Sequence, residues 1–368
     1  MIKYRYYSIS LSIALIGFII RLFIGIEGMH GTDILFHLEG VRSLILTGSP
    51  YCLANYNYPP LYAYLQLIGI LAIGWNTLGY KIMSILFDVT LSILIYVTLR
   101  SLGVDERVSI VIQSLWCFNP LAIVTSSWYG LFDSIPTLFS LLSLLMMIKR
   151  RNVISALALS LGIASKFFPI IFLPINLFII FVRERKIGSI GRYFVLVLLI
   201  ITSIELVSVY RCLDDAIKDQ FLFHINREDR GLSLIPWFPY SSLLSLVIPM
   251  ILSLLLLLYT KSISLINIYA IATIESLALI LLNPFVYPHY IIWSLPLMLI
   301  TLTLIVHSIT KVSILGVTLI TIFSIVGLGY WRFYKVPSIA ITLSYIYNLC
   351  LLTIFLSLLK LYPRLVNR

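Results

Sequence analysis

The chain has 368 residues, of which 60% are hydrophobic and only 11% charged, with a mean hydropathy of +1.04. A soluble domain carries roughly 45–50% apolar and about 25% charged residues, so a water-soluble globular fold is excluded and an all-α polytopic transmembrane helical bundle is expected. The net charge of +11 does not point to nucleic acid, because Lys and Arg stand in short clusters between apolar runs, the pattern that sets membrane topology.

The first apolar run starts near Tyr6 and ends near Ile26. It has about the 20 residues that a span needs, too many for a signal-peptide core. No small-residue cleavage site follows it, so it is expected to be a retained helix. Further apolar segments follow at 61–76, 79–99, 107–127, 133–148, 153–165, 167–182, 192–210, 241–260, 264–282, 289–309, 312–330 and 338–360. They predict about 11–13 membrane segments in one domain, 1–368. The segments on either side of Lys166-Phe167-Phe168-Pro169 are short and read as half-helices. Broken helices at membrane depth are tolerated only where they face protein or a watery cavity. Segment 61–76 leaves two readings open, since a full span there would move Arg100 outside or change the count.

The basic clusters orient the bundle. Lys3/Arg5, Arg100/Arg107, Lys149-Arg150-Arg151, Arg183/Arg185/Lys186/Arg192, Lys261, Lys311 and Lys360/Arg364/Arg368 fall on the cytosolic side. The outer loops are then 27–60, 128–133, 211–240, 283–289 and 331–337, and they hold most of the acids. Four cysteines give no metal spacing. Cys52 and Cys212 both fall in outer loops, which is compatible with a disulfide, whereas Cys117 and Cys350 lie in apolar runs and read as packing residues.

The polar residues that stand out converge on the outer face. Asp33 lies in the first outer loop, Trp128-Tyr129-Gly130-Leu131-Phe132-Asp133 marks a second turn, and Phe223-His224-Ile225-Asn226-Arg227-Glu228-Asp229-Arg230 sits in a third. Asn283-Pro284-Phe285-Val286-Tyr287-Pro288-His289-Tyr290 forms a fourth, and Lys166 stands at the break between half-helices. A carboxylate and several cations beside lipid suit one reaction: a base deprotonates an acceptor hydroxyl while cations hold a phosphate leaving group. The donor is then a lipid-linked phosphosugar.

These residues carry a resemblance. The chain resembles the GT-C superfamily of polyprenyl-phosphate-sugar-dependent glycosyltransferases and, within it, the catalytic subunits of GPI α-1,4-mannosyltransferases. The similar blocks are Thr32-Asp33-Ile34, Gly48-Ser49-Pro50-Tyr51 and Tyr56-Asn57-Tyr58-Pro59-Pro60-Leu61, then Lys81 to Asp88, Asn119-Pro120-Leu121, Lys166-Phe167-Phe168-Pro169, Phe223 to Asp229, and His289-Tyr290-Ile291-Ile292-Trp293. They occur in family order over nearly the whole chain. The Tyr-Pro-Pro-Leu element also resembles the glucosyltransferases of N-glycan assembly. Two departures stand out. The second acid that the family carries two residues after the first is here Leu35, so no metal is expected in the first loop. The stretch after the family's Arg-x-Asp is here Gly231-Leu232-Ser233-Leu234-Ile235-Pro236, so the acceptor need not be a GPI precursor.

The resemblance implies a GT-C-like bundle whose first outer loop holds the catalytic acid. It implies inverting transfer of a hexose, mannose in the nearest relatives, from a polyprenyl (dolichyl) phosphate to a hydroxyl of a lipid-linked glycan, without a cofactor. Asp33 would be the base; its other reading is a helix cap. Lys166, Arg227, Arg230 and His289 would bind the donor phosphate. His37, one helical turn after Asp33, would bind acceptor or sugar together with Tyr58 and Asp133. Asp133 alternatively caps the segment after it, Lys166 is alternatively a helix-end cation, and the two arginines a solvated loop face.

Other ionisable residues in the apolar runs have plainer readings. Lys81 and Asp88, seven apart on one face, form an internal ion pair or Lys81 snorkels. Arg21 snorkels or meets lipid phosphate. Glu205 and Glu275 receive no role, and Tyr and Trp near segment ends are read mostly as interfacial belts. Membrane lipids and a small accessory membrane subunit are the other expected partners, with the plasma membrane as location in a prokaryote and the endoplasmic reticulum in a eukaryote. The rival readings are a glucosyltransferase of the same superfamily, a transporter or flippase for lipid-linked sugar, and a non-catalytic partner of another transferase.

Overall fold

The computed structural model describes residues 2–28, 31, 33–223, 231–235, 240–260, 264–306 and 308–366. Its helices are α1 (Ile2–Ile26), α2 (Asp33–Thr47), α3 (Leu61–Ile73), α4 (Thr77–Ser101), α5 (Glu106–Cys117), α6 (Pro120–Ile123), α7 (Ser134–Ile148) and α8 (Asn152–Ser165). Then follow α9 (Leu173–Glu184), α10 (Ile187–Val209), α11 (Leu213–Ile217), α12 (Ser241–Tyr259), α13 (Leu265–Leu282), α14 (Leu295–Ile305), α15 (Ile309–Phe333) and α16 (Pro337–Val366). Among the described residues, seven helices are long and apolar enough to cross a membrane, eight if the bent α5–α6 pair is one span. The chain is a multi-pass integral membrane protein.

The predicted run 107–127 is bent by 47°. Asn119 caps the second half by accepting the Leu121 N–H at 3.0 Å, and Pro120 has no N–H to continue the first. The same rule breaks the chain after Lys166, where Pro169 starts a 3₁₀ turn, Phe168–Phe172, before α9.

Helix α13 is buried on every face, its few polar residues included, with 78% of its most apolar window buried, so it is the axis of the bundle. By contrast 11% of that of α10 is buried, and its leucines and valines face lipid. Helices without a hydrophobic drive between them need close backbone approach or polar links. Gly17 supplies the first: a Cβ there would lie 2.1 Å from Cys117 Sγ. Thr273–Thr301 at 2.8 Å and Ser276–Ser294 at 2.9 Å supply the second.

Segment 61–76 does not cross. The 13 residues of α3 extend about 20 Å, against a hydrocarbon core of about 30 Å. Both ends of α3 stay beside the first third of α4: Tyr62 meets Ser84 at 3.4 Å, and Gly69 packs on Gly79 and Ile82. The count of spans before Arg100 is therefore unchanged by α3.

Two expectations are overturned by inter-helix pairing. Arg21 neither snorkels nor meets lipid. It is fully buried and donates to Asp88 at 2.8 Å and to the Cys117 carbonyl at 2.8 Å. Lys81 does not pair with Asp88. Its ammonium turns outward to the carbonyls of Glu27 and Gly28, at 3.5 and 3.3 Å. A guanidinium two turns deeper has already neutralised Asp88, and burying a second cation there would cost more than the carbonyl contacts.

The disulfide forms. Cys52 and Cys212 are bonded with a Cα–Cα distance of 5.3 Å, which ties the segment after α2 to the start of α11. Both cysteines thus share one face, as the charge pattern requires. Cys117 is free and buried, Cys350 free and half-buried, in keeping with packing roles.

Candidate functional site

Three turns build the site, and each has a local cause. The chain leaves α6 through a π turn, Val124–Trp128, and reverses at Gly130 with φ +66°. Only glycine suits that position: the backbone is left-handed, and a Cβ would press on Ile34 at 2.8 Å and Lys81 at 2.9 Å. Tyr62 and Ser84 donate to the Gly130 carbonyl at 3.2 and 3.3 Å. The turn delivers Phe132, stacked on Tyr62 at 3.9 Å, and Asp133. The second turn is the break at Lys166, extended just past α8. The third is the 3₁₀ turn Pro288–Trp293, whose three-residue period puts Tyr290 over Trp293 at 4.0 Å.

Asp133 is where these turns meet. It is 1% exposed, and its Oδ1 accepts from Lys166 Nζ at 2.7 Å and from Trp293 Nε1 at 2.7 Å. His289 Nε2 stands 3.7 Å from Oδ2. The side chain makes no cap bond to α7, so the capping alternative fails. Burial alone would raise its pKa, but the neighbouring Lys166 and His289 and the two hydrogen bonds hold it below the usual carboxylate range. Lys166 is not an ordinary helix-end cation either. Its ammonium lies 5.0–5.5 Å from the centres of four rings, those of Tyr58, Phe132, Tyr290 and Trp293. An ammonium among aromatic faces gains cation–π attraction that is larger when desolvated.

Beside this pair opens a cavity of about 760 Å³. Its wall includes Asp33, His37, Asn57, Tyr58, Asp219, Tyr287, His289 and Tyr290. Asp33 is the first residue of α2 and is exposed, where the positive end of the helix favours an anion. His37 is 1% exposed and ringed by Tyr62, Tyr58 and Phe132 at 5.0–5.2 Å between ring centres. Neither of its nitrogens has a hydrogen-bond partner among the described residues. Burial lowers its pKa to about 4, against the opposing pull of Asp33, so at neutral pH it is an uncharged ring with one donor and one acceptor facing the cavity. Burial likewise pushes the Asp219 carboxyl up.

The structure thus gathers Asp33, His37, Tyr58 and His289 on one cavity and sets Asp133 and Lys166 behind its wall, against Tyr58, Tyr290 and His289. Arg227 and Arg230 lie outside the described residues, as do Thr32 and most of the Phe223–Asp229 block. Sequence reasoning missed Trp293, Tyr290 and Asp219. Trp293 was set aside with the interfacial aromatics, yet it is 3% exposed and spends its N–H on Asp133. The block His289–Trp293 carried the available clue, since a Pro-led turn of period three aligns residues 290 and 293. Among the described residues, no three His, Cys, Asp or Glu side chains stand together as metal ligands.

A family model described as "GPI transamidase subunit PIG-U" matches residues 37–228. GPI mannosyltransferase 1 of Candida albicans is 27% identical over 194 residues, 49% of this chain and 48% of that protein. GPI mannosyltransferase 1 of Saccharomyces cerevisiae is 28% identical over 139 residues, 38% of this chain and 34% of that protein. The alignments therefore span half or less of the length of these curated relatives. ArnT from Cupriavidus metallidurans, solved bound to undecaprenyl phosphate, superposes with a TM-score of 0.57 at 13% identity, covering 97% of this chain and 77% of that one. That likeness shows the fold, which is GT-C-like over nearly the whole chain.

Proposed function

The chain belongs to the PIG-U family, whose model matches more than half of it, and from that premise we propose that it transfers a hexose, mannose, from a polyprenyl-phosphate donor to a hydroxyl of a lipid-linked glycan. The reaction takes place at the outer or lumenal face, in the plasma membrane of a prokaryote or the endoplasmic reticulum of a eukaryote. The observation that carries this reading is the cavity: an exposed carboxylate, an uncharged buried histidine and a buried ion pair converge there, all on one face. Relatives named GPI mannosyltransferase 1 and a like-folded protein that binds undecaprenyl phosphate support it.

In this mechanism Asp33 takes the proton of the acceptor hydroxyl. The hydroxyl oxygen attacks the anomeric carbon, the bond from that carbon to the phosphate oxygen breaks, and the polyprenyl phosphate leaves with the electron pair. Direct attack inverts the anomeric centre. The leaving phosphate gains negative charge and needs donors. Lys166 has three and uses one on Asp133, so it serves the phosphate while paired. His289 adds a donor beside it, and Arg227 and Arg230 belong to the same phosphate site. His37 and Tyr58 bind hydroxyls of acceptor or sugar, and Asp133 holds the Lys166 ammonium in place.

A second reading is favoured by two observations: the matching family is described as a transamidase subunit, and the position of the second acid is Leu35. In that reading the cavity holds a lipid-linked glycan for another enzyme without transfer. Purified wild-type and Asp33→Asn proteins, given radiolabelled polyprenyl-phosphate-mannose or polyprenyl-phosphate-glucose and source-cell lipids with and without EDTA, separate the readings. Transfer from one donor, unaffected by EDTA and lost in the Asn variant, supports the transferase. Absence of transfer from both donors, with equal donor binding by the two proteins, supports the holding role.

A further inference from the structure

The cytosolic end of the bundle holds a second concave site that plays no part in the chemistry above. Helices α8 and α10 pack side by side, joined where Ser155 meets the Tyr193 hydroxyl at 3.1 Å and Ser160 donates to the Val197 carbonyl at 3.2 Å. At their cytosolic ends the seam widens into a cleft of about 320 Å³. Its polar wall is Asn152, Ser189, Arg192 and Glu184, its floor is Tyr193, and its lipid side is Val153 and Leu196.

Two turns frame the mouth, and both carry cations. Arg150 and Arg151 follow α7, and Arg185 and Lys186 follow α9; all four are exposed. Arg183 holds the two turns together by donating to the carbonyls of Met147 and Ile148. Arg150 and Arg185 have φ of +59° and +50°. Glycine is the residue this conformation favours, and an arginine there is strained. Side chains are thus kept at both turns where the backbone would favour none. Glu184 is the one acid in the cleft wall, and it is occupied: hydrogen bonds from Ser189 and from Asn152, the latter at 3.0 Å, with Arg192 and Lys186 nearby, lower its pKa.

Below the mouth the seam turns apolar. Val153 is 68% exposed and Leu157 44%, and α10 shows lipid Val195, Leu198 and Leu199. A ligand that fits must carry an anion at one end and a hydrocarbon chain at the other. Basic pockets between membrane helices on the cytosolic side bind anionic headgroups, with about 1 kcal/mol from each Lys or Arg near the surface.

We propose that the cleft between Asn152, Ser189 and Arg192 is a binding site for the phosphate headgroup of an anionic phospholipid of the cytosolic leaflet, with an acyl chain lying along the α8–α10 seam. The phosphate meets Arg192, whose guanidinium is held in the cleft by its bond to Ser189 Oγ at 3.0 Å, and Arg185 and Lys186 close over it. The site is separate from the outer cavity and clamps α10 to α8 at the end opposite the chemistry.

The full chain, purified in neutral detergent, is titrated with dioleoylphosphatidylglycerol, dioleoylphosphatidylcholine or inorganic phosphate, and bound lipid is counted by native mass spectrometry beside the melting temperature. The expected result is retention of the phosphatidylglycerol at least tenfold stronger than that of the phosphatidylcholine, with a raised melting temperature, and no shift with phosphate alone. Arg185→Gln/Arg192→Gln loses roughly tenfold or more of that preference. Val153→Trp, which fills the cleft and keeps every charge, loses it as well. Arg107→Gln, which removes a cation from another cytosolic turn, keeps it. Equal retention of both lipids overturns the proposal. So does an equal loss in Arg107→Gln, which would mark diffuse attraction to the basic face. A shift with phosphate equal to that with the lipid would make the cleft a soluble-anion site and overturn the lipid assignment.

Discussion

Asp88 and Asp133 are both buried carboxylates of the α4–α7 region, and they are held in opposite ways. Asp88 is closed on all sides: Arg21, Trp116, Ser126 and Ser134 donate to it at 2.8–3.1 Å, from four different parts of the chain. Every acceptor direction is used, and Asp88 is fully buried, away from the outer cavity. Asp133 has two close donors, Lys166 and Trp293, and a histidine at 3.7 Å, and two of its neighbours, Tyr58 and His289, line open space. A saturated buried charge fixes the positions of α1, α4, α5 and α7 relative to one another. Asp133 takes one of the three donors of Lys166, which leaves two for something that arrives. The difference separates a framework from a site, and it cannot be read from the residue type.

That contrast can be broken. Asp88→Ala is expected to have the largest effect on stability, about 3–5 kcal/mol, because it strands a buried guanidinium; thermal unfolding in detergent reads it. A variant that melts close to wild type would mean that Asp88 is no more structural than Asp133. The second test lowers the pH. His37 has a folded pKa of about 4 against about 6.5 in the unfolded chain. Its contribution is complete above pH 6.5 and declines as the pH falls to 4, by about 3 kcal/mol. His37→Gln should flatten the melting temperature over that window. Asp133, with its pKa held low, keeps its contribution through the same window and loses it only below the usual carboxylate range.

A third test compares function with stability. Asp133→Asn keeps an oxygen for Trp293 and Lys166 but removes the charge that pairs with the buried ammonium, and should cost about 2 kcal/mol while reducing transfer at least 100-fold. An equal reduction in a variant at Asp88 that still folds would erase the distinction. The smallest effect is expected from Ser126→Ala, about 1 kcal/mol, since three other donors remain on Asp88.

Most of the bundle was legible because a membrane helix must be continuously apolar. The runs at 79–99, 192–210 and 241–260 correspond to α4 (Thr77–Ser101), α10 (Ile187–Val209) and α12 (Ser241–Tyr259). The breaks at Asn119-Pro120 and Phe168-Pro169 were marked by proline. The outer cavity was legible in part, because polar residues that survive in such a chain advertise themselves: Asp33, His37, Tyr58, Lys166 and His289 reach one place. Pairing between helices was not legible. Arg21 and Asp88 are 67 residues apart, and hydropathy records that each is buried without recording which partner it meets. The seven-residue spacing of Lys81 and Asp88 suggested a bond that the real partner pre-empts. Trp293 escaped for a related reason: a tryptophan at a segment end looks alike whether its N–H meets interfacial water or a buried carboxylate.

The Cys52–Cys212 bond sets an order on synthesis. The second cysteine is made 160 residues after the first, roughly 10–30 s later at typical translation speeds. During that interval α4 to α10 are made while Cys52 waits as a thiol. The segment carrying Asn57 and Tyr58 reaches its place against Asp219 only when α11 emerges. One wall of the cavity is therefore finished late, by an oxidation. A chain halted before residue 212 has its first carboxylates in the membrane edge but no closed cavity between them.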